Sequence, residues 1–236
     1  MYSTIIFDLD DTLTNDFENT KQAFKRVLEY RNEEFSEEKF LRFNKIDKKN
    51  WNDLANGKLI PPYKYCKTKK TEWLRANRFI NYFGKNNISY DEAVEINKVY
   101  MNGMKEKVIP RKGAKDLVKY LYNKSYKIII ATNGPIIPLK TKIEKLSINH
   151  YIDLIFSAEE IGVTKPYKGF YDELIKRAEI NSKSDILFVG DDLEKDIKGG
   201  INNGIDTCWC NYNNIINDKY KSKYEIHELE ELKQIL

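Results

Sequence analysis

The chain has 236 residues, of which 41% are hydrophobic and 32% charged, and its net charge is +4. Length alone allows a substantial core in one or two domains, and no apolar run approaches the roughly 20 residues needed to span a bilayer. Three cysteines, Cys66, Cys208 and Cys210, are an odd count in a chain this long and argue against a disulfide framework. The N-terminus runs straight into a charged strand-end motif without a signal-peptide layout, so a cytoplasmic protein is the expectation.

Residues 4–8 are the first predicted strand. Thr4-Ile5-Ile6-Phe7 is apolar until Asp8, and Leu9-Asp10-Asp11-Thr12-Leu13 follows. Such a run reads as a buried parallel strand, and the C-terminal ends of parallel strands are where open α/β sheets place ligands. Residues 16–107 then lack strand alternation and are too long for a simple crossover. Residues 17–43 and 71–107 read as helical, and Gly57 through Tyr63, with Pro61-Pro62, marks a break. This stretch is the expected inserted helical domain, residues 16–107, on a core formed by residues 1–15 and 108–236.

Its charge differs from that of the core: 20 Lys+Arg against 14 Asp+Glu gives +6, leaving 20 against 22, or −2, elsewhere. A basic segment over an acidic base suits an anionic substrate, and lysine-rich solvated helix faces would look the same. Lys58, Lys64, Lys67, Lys69 and Lys70 are the densest cluster, but no nucleic-acid-binding signature accompanies them.

From residue 108 strands alternate with helical patterns, the signature of a doubly wound parallel sheet. Pro110 suits the first turn of a helix over 111–124. Strand 127–131 ends in Ala131-Thr132-Asn133-Gly134, after which Pro135 and Pro138 should delay the next helix. Strand 153–156 precedes Gly162-Val163-Thr164-Lys165-Pro166. Phe170, Leu174, Ile175 and Ala178 give residues 167–179 a helical spacing. Strand 186–189 ends in Gly190-Asp191-Asp192, with Asp196 four residues on, and strand 205–209 is the last. Cys208 and Cys210 share one face of that strand; with only His150 and His227 elsewhere, buried structural thiols are expected rather than a zinc site.

Two carboxylates one residue apart at a buried strand end, Asp8 and Asp10, are costly unless a cation neutralises them. A hard divalent ion such as Mg²⁺ is the natural solution. Each motif also has an ordinary structural explanation. Thr132 could cap a helix, Lys165-Pro166 could be a solvated loop, and Asp192 or Asp196 could favour a helix N-terminus. Four such motifs, each at a strand end or the helix start beyond it, point together to a site.

This constellation resembles the haloacid dehalogenase superfamily over nearly the whole chain. Asp8 and Asp10 match its first motif, Thr132 the second, Lys165 the third, and Asp191 with Asp196 the fourth. Within it, Ser157-Ala158-Glu159-Glu160-Ile161-Gly162-Val163, Gly199-Gly200-Ile201-Asn202-Asn203-Gly204, Thr207-Cys208-Trp209 and His227-Glu228-Leu229-Glu230 look like the bacterial pyrimidine 5′-nucleotidases of the YjjG type.

The resemblance implies a Rossmann-like α/β core with a helical cap and a Mg²⁺-dependent phosphatase of small phosphate monoesters, most often a nucleoside 5′-monophosphate. Asp8 would be the nucleophile and Asp10 the general acid and base. Thr132, Asn133 and Lys165 would bind phosphate. Asp8, the Asp10 carbonyl and Asp191 would hold the metal, with Asp196 and Asp192 outside its ligand sphere.

In the cap, Ile46-Asp47, Trp51 and Gly57, together with Arg78-Phe79, are similar to patterns in the nucleotidase group, with Asp47 where that group has Asn. Trp51 or Phe79 could stack on a base, or fill the interior of the bundle. A Gln expected near Leu139 is absent. A phosphosugar or phosphoglycolate phosphatase, a β-phosphoglucomutase-like phosphomutase and a non-catalytic binding protein on the same fold remain alternatives. No nucleic-acid polymer or membrane partner is expected, and a monomer or a homodimer fits equally.

Overall fold

The structure is a computed structural model and describes residues 2–55, 57–62, 70–134 and 136–236. The sequence positions Cys66, Lys64, Lys67 and Lys69 lie outside the described residues, as does Tyr63. Strand β1, Thr4–Phe7, is buried along its whole length. The chain then enters four helices: α1 (Asp16–Tyr30), α2 (Glu37–Ala55), α3 (Lys70–Phe83) and α4 (Tyr90–Glu106). The helical reading of 17–43 is interrupted at 31–36, where Asn32 adopts a positive φ of 54°.

Beyond them come α5 (Ala114–Asn123), β2 (Lys127–Thr132), α6 (Ile136–Lys145), β3 (Leu154–Ser157), α7 (Ala158–Ile161) and α8 (Lys168–Arg177). Strand β4 (Ile186–Gly190), α9 (Lys198–Asn202), β5 (Asp206–Cys210), β6 (Tyr224–Ile226) and α10 (Leu232–Ile235) complete the order.

The strands form one parallel sheet in the order β3-β2-β1-β4-β5-β6. Alternation along each strand serves two cores. Ile5, Phe7, Ile128, Ile130, Leu187 and Val189 pack on one face with Leu117 and Leu121 of α5. Ile6, Ile129, Phe156, Ile186 and Phe188 pack on the other with Phe170 and Leu174 of α8. Both faces are covered, so the strands read as continuous apolar runs. Thr4–Phe7 pairs with Lys127–Ile130 on one side and Ile186–Val189 on the other. The strand order reverses at this central trio, and the ends of β1, β2 and β4 lie side by side there.

Three local expectations are corrected. The helix expected over 111–124 begins at Ala114, because Pro110 pairs with Thr14 in an isolated bridge and Gly113, at φ 78°, provides the left-handed N-cap. Pro138 does not delay α6, since it sits in the first turn, where no intrahelical N–H bond is lost; Pro135, the other proline of that expectation, lies outside the described residues. A sixth strand, β6, went unread because three residues carry too little periodicity to show.

The chain divides into two compact units, Met1–Asp16 with Val108–Leu236, and Phe17–Lys107. The second has its own core, an aromatic cluster of Phe24, Phe40, Phe43, Phe79, Tyr82 and Tyr100. The Phe79 ring lies 5.4 Å from Phe43 and 5.7 Å from Tyr100. Phe79 is completely buried, whereas Trp51 on α2 is 37% exposed. Arg78, also buried, donates to Asn97 Oδ1 at 2.9 Å, lies 3.4 Å from Asp47 and stacks 4.1 Å from the Tyr100 ring. The two sequence patterns Ile46-Asp47 and Arg78-Phe79 therefore meet in space.

Phe79→Ala should destabilise the protein by about 3–5 kcal/mol, and Trp51→Ala by about 1 kcal/mol or less. Urea denaturation of both variants checks this; equal losses would contradict the packing described.

Candidate active site

Asp8 follows directly from β1 and its N–H donates to the Val189 carbonyl at 2.9 Å, fixing it at the sheet's end. Asp191 follows β4, the neighbouring strand. Asp196 comes from the wide helical turn Leu193–Ile197 and is buried. One carboxylate oxygen from each of Asp8, Asp191 and Asp196 lies within 4.8 Å of the others. Gly190 makes room for this: a Cβ there would collide with the Asp196 carboxylate.

Lys165 enters the acidic cluster from the loop after α7. Its Nζ donates to Asp8 Oδ1 at 2.6 Å, Asp196 Oδ1 at 2.7 Å and the Ala131 carbonyl at 3.0 Å, using all three hydrogens. Asn133 fixes the Lys165 backbone from both sides: its Oδ1 accepts from Lys165 N at 2.8 Å, and its Nδ2 donates to Lys165 O at 3.1 Å. Thr132 Oγ1 accepts the Gly134 N–H at 3.0 Å, which leaves its own hydrogen to donate elsewhere.

Burial pushes the Asp8 pKa up to about 6; Lys165 opposes this and Asp196 adds to it. Asp191 is raised well above the carboxylate range by burial and by the neighbouring charges of Asp8 and Asp196. Burial would depress Lys165, but Asp196 and Asp8 outweigh it and hold the ammonium charged.

Thr12 exchanges hydrogen bonds with Asp191, donating to Oδ1 and accepting from its N–H, both at 3.1 Å. Trp209 Nε1 donates to the Asp191 carbonyl at 3.0 Å. No ion pair among the described residues reaches Asp191. Three carboxylates against one ammonium leave surplus negative charge on an all-oxygen donor set, which fits a hard divalent cation.

The other sequence-predicted residues fall in different places. Asp10 lies in the turn beyond Asp8, and its side chain pairs with Lys142 of α6 at 2.6 Å. Its pKa also stands at about 6, raised by desolvation among surrounding protein atoms although the side chain is 40% accessible, and lowered by Lys142. Asp192 turns its carboxylate to the following helical turn, accepting from Glu194 N at 3.0 Å, Lys195 N at 2.9 Å and Lys195 Nζ at 2.6 Å; despite its burial, Lys195 holds its pKa low. Asp196, expected outside the metal's ligand sphere, lies as near the cluster as Asp8 and Asp191. Trp51 and Phe79 belong to the helical unit described above.

Sequence reading missed Thr12, Lys142 and the side chain of Asn133. Lys140, Lys142 and Lys145 follow one another along α6, and no spacing singles out the middle one.

The haloacid dehalogenase-like hydrolase family matches residues 2–204. The pyrimidine 5′-nucleotidase YjjG of Escherichia coli is 30% identical over 233 residues, 98% of this chain and 96% of that protein. The pyrimidine 5′-nucleotidase PynA of Streptococcus pneumoniae is 31% identical over 121 residues, 51% of each. The magnesium-bound crystal structure of the Bacillus subtilis HAD-hydrolase YfnB superimposes with a TM-score of 0.86 at 26% identity, covering 99% of this chain and 98% of that one. The acidic cluster lies at the point where the order of the β3-β2-β1-β4-β5-β6 parallel sheet reverses. The chain belongs to the haloacid dehalogenase-like hydrolase family, and it is an enzyme.

The raised carboxylates set a pH dependence. Asp8, Asp10 and Asp191 bind protons more tightly folded than unfolded. For Asp8 and Asp10 that contribution to stability is fully present below about pH 4 and lost as pH climbs through about 6, and Asp191 acts in the same direction. A cation replacing those protons should stabilise most where they are gone. In thermal melts after chelation, magnesium chloride should raise the Tm clearly at pH 7.5 and little at pH 5; equal shifts at both would refute the cluster as a cation site.

Proposed function

We propose that this protein is a magnesium-dependent phosphatase that hydrolyses small phosphate monoesters through an aspartyl-phosphate, with a pyrimidine nucleoside 5′-monophosphate as the preferred substrate class. The observation that carries the reading is the cluster of Asp8, Asp191 and Asp196 around Lys165, one strand away from the Thr132 hydroxyl. The substrate class is supported by similarity to YjjG and PynA, both pyrimidine 5′-nucleotidases.

Asp8, Asp191 and the Asp10 carbonyl would hold the cation, with Asp196 beside them. When bound, magnesium supplies the positive charge that lets a carboxylate approach a phosphoryl group. Lys165 keeps Asp8 ionised at neutral pH and adds to that charge. Thr132 donates its hydroxyl hydrogen to a phosphoryl oxygen, and the Asn133 N–H does the same.

An Asp8 oxygen attacks phosphorus, and the bond to the ester oxygen breaks as the acyl phosphate forms. Asp10 gives its proton to the departing alkoxide. As a carboxylate it then takes a proton from water, whose oxygen adds to phosphorus while the bond to Asp8 breaks. Inorganic phosphate leaves, and both acids return to their starting states. A pKa near 6 suits Asp10 to both transfers close to neutrality.

A phosphate-release panel of UMP, dUMP, dTMP, purine monophosphates and sugar phosphates tests the reading. Magnesium-dependent release, fastest from the pyrimidine nucleotides, is expected; a preference for sugar phosphates would overturn the substrate class. Asp8→Asn should lower kcat on the order of 10⁴-fold or more with the fold retained by circular dichroism. Near-normal turnover would remove Asp8 as nucleophile.

A further inference from the structure

Lys142 lies outside the acidic cluster, on α6, and only 13% of its side chain is accessible. Its Nζ donates to Asp10 Oδ1 and to Asp16 Oδ2, each at 2.6 Å. Asp16 is itself held, since Thr14 Oγ1 donates to its other oxygen at 3.0 Å. The second oxygen of Asp10 faces the phosphate-binding turn: a Cβ on Gly134 would stand 3.5 Å from Asp10 Oδ2 and 3.4 Å from Thr132 Oγ1. One oxygen of Asp10 is thus anchored, and the other lies beside Gly134 in the turn that follows Thr132.

We infer that Lys142 is a positioning residue for the acid/base step: by occupying Asp10 Oδ1, it leaves Oδ2 as the oxygen that carries the proton to the leaving group. This rests on the role given to Asp10 above. A carboxylate on a free turn would sample several rotamers, and proton transfer needs one geometry at hydrogen-bond distance. Asp16 serves as the far anchor. It accepts a second hydrogen bond from the same ammonium, much as a carboxylate orients the base in a nucleophile–base–acid arrangement. Because Asp16 is the last residue before the helical unit, the anchor stands where the chain leaves the core.

The leaving group separates positioning from general damage. A nucleoside alkoxide needs a proton as it departs, whereas p-nitrophenolate leaves readily without one. kcat/KM reports only the steps through formation of the acyl phosphate, so it isolates that requirement.

The experiment compares unaltered protein with Lys142→Met and Asp16→Asn, on UMP and on p-nitrophenyl phosphate, with magnesium present and melting curves taken for each. For Lys142→Met, kcat/KM on UMP should fall at least about 10-fold, and on p-nitrophenyl phosphate by no more than about 3-fold. Asp16→Asn should show the same pattern to a smaller extent. Equal proportional losses on both esters, or no loss on either, would overturn the role of Lys142 while leaving the phosphatase reading intact. Failure of the unaltered protein to hydrolyse either ester would overturn that reading, and this inference with it.

Discussion

The Lys165 ammonium, nearly withdrawn from solvent, stands between the carboxylates of Asp8 and Asp196 and spends its third hydrogen on the Ala131 carbonyl. Two buried carboxylates facing one another would otherwise protonate or push apart. Removing one member of such a buried pair leaves an uncompensated charge that costs roughly 3–5 kcal/mol. The surrounding details serve this contact: Asn133 brackets the Lys165 backbone on both sides, and Gly190 gives up a side chain so that Asp196 can approach. Lys165 contacts two acids with a single charge, and among the described residues no ion pair reaches Asp191. That arithmetic makes the cluster a receptor for a further positive charge rather than a closed ion pair.

Topology explains why residues scattered from 8 to 196 meet. Parallel strands emit their C-terminal ends on one side of the sheet, and strand order decides which ends are neighbours. With β1 between β2 and β4, the residues following Phe7, Ala131 and Gly190 come together whatever the length of the intervening chain. The 91 residues of the helical unit can therefore be inserted after Asp16 without disturbing the register of the central pairs.

The parts legible in the sequence are those governed by backbone periodicity. Ile128-Ile129-Ile130 and Ile186 through Val189 are short β-branched or apolar runs that read as strands buried on both faces, and their acidic or hydroxyl endings marked the ligand side. Asp192 shows where this reasoning stops. Next to Asp191 it reads either as an acid at a helix N-terminus or as a group just outside a metal's ligand sphere, and the turn of the chain directs its carboxylate to Glu194 N and Lys195 N as a cap. Adjacent residues on a tight turn point different ways, and one-dimensional spacing does not carry that angle. Lys142 is the converse case: its partners lie 132 and 126 residues away, so only the folded sheet brings them together.

The helical unit obeys a different constraint. In the core a side chain's direction follows from strand register. In a bundle it follows from how neighbouring rings pack, and an aromatic residue marked in the sequence can be consumed by that packing. Phe79 is consumed in this way, enclosed by Phe43 and Tyr100. Arg78 is in part consumed as well, held by Asn97 and lying over Tyr100 beside Asp47. Replacing Asp47 would unsettle the arginine, and with it the aromatic layer on which it rests. A change at residue 47 would thus be felt through the interior of the unit rather than at Asp47 alone. Asp8 and Asp191, by contrast, follow directly from β1 and β4 and take their positions from the sheet, while the Asn133 side chain fixes the Lys165 backbone.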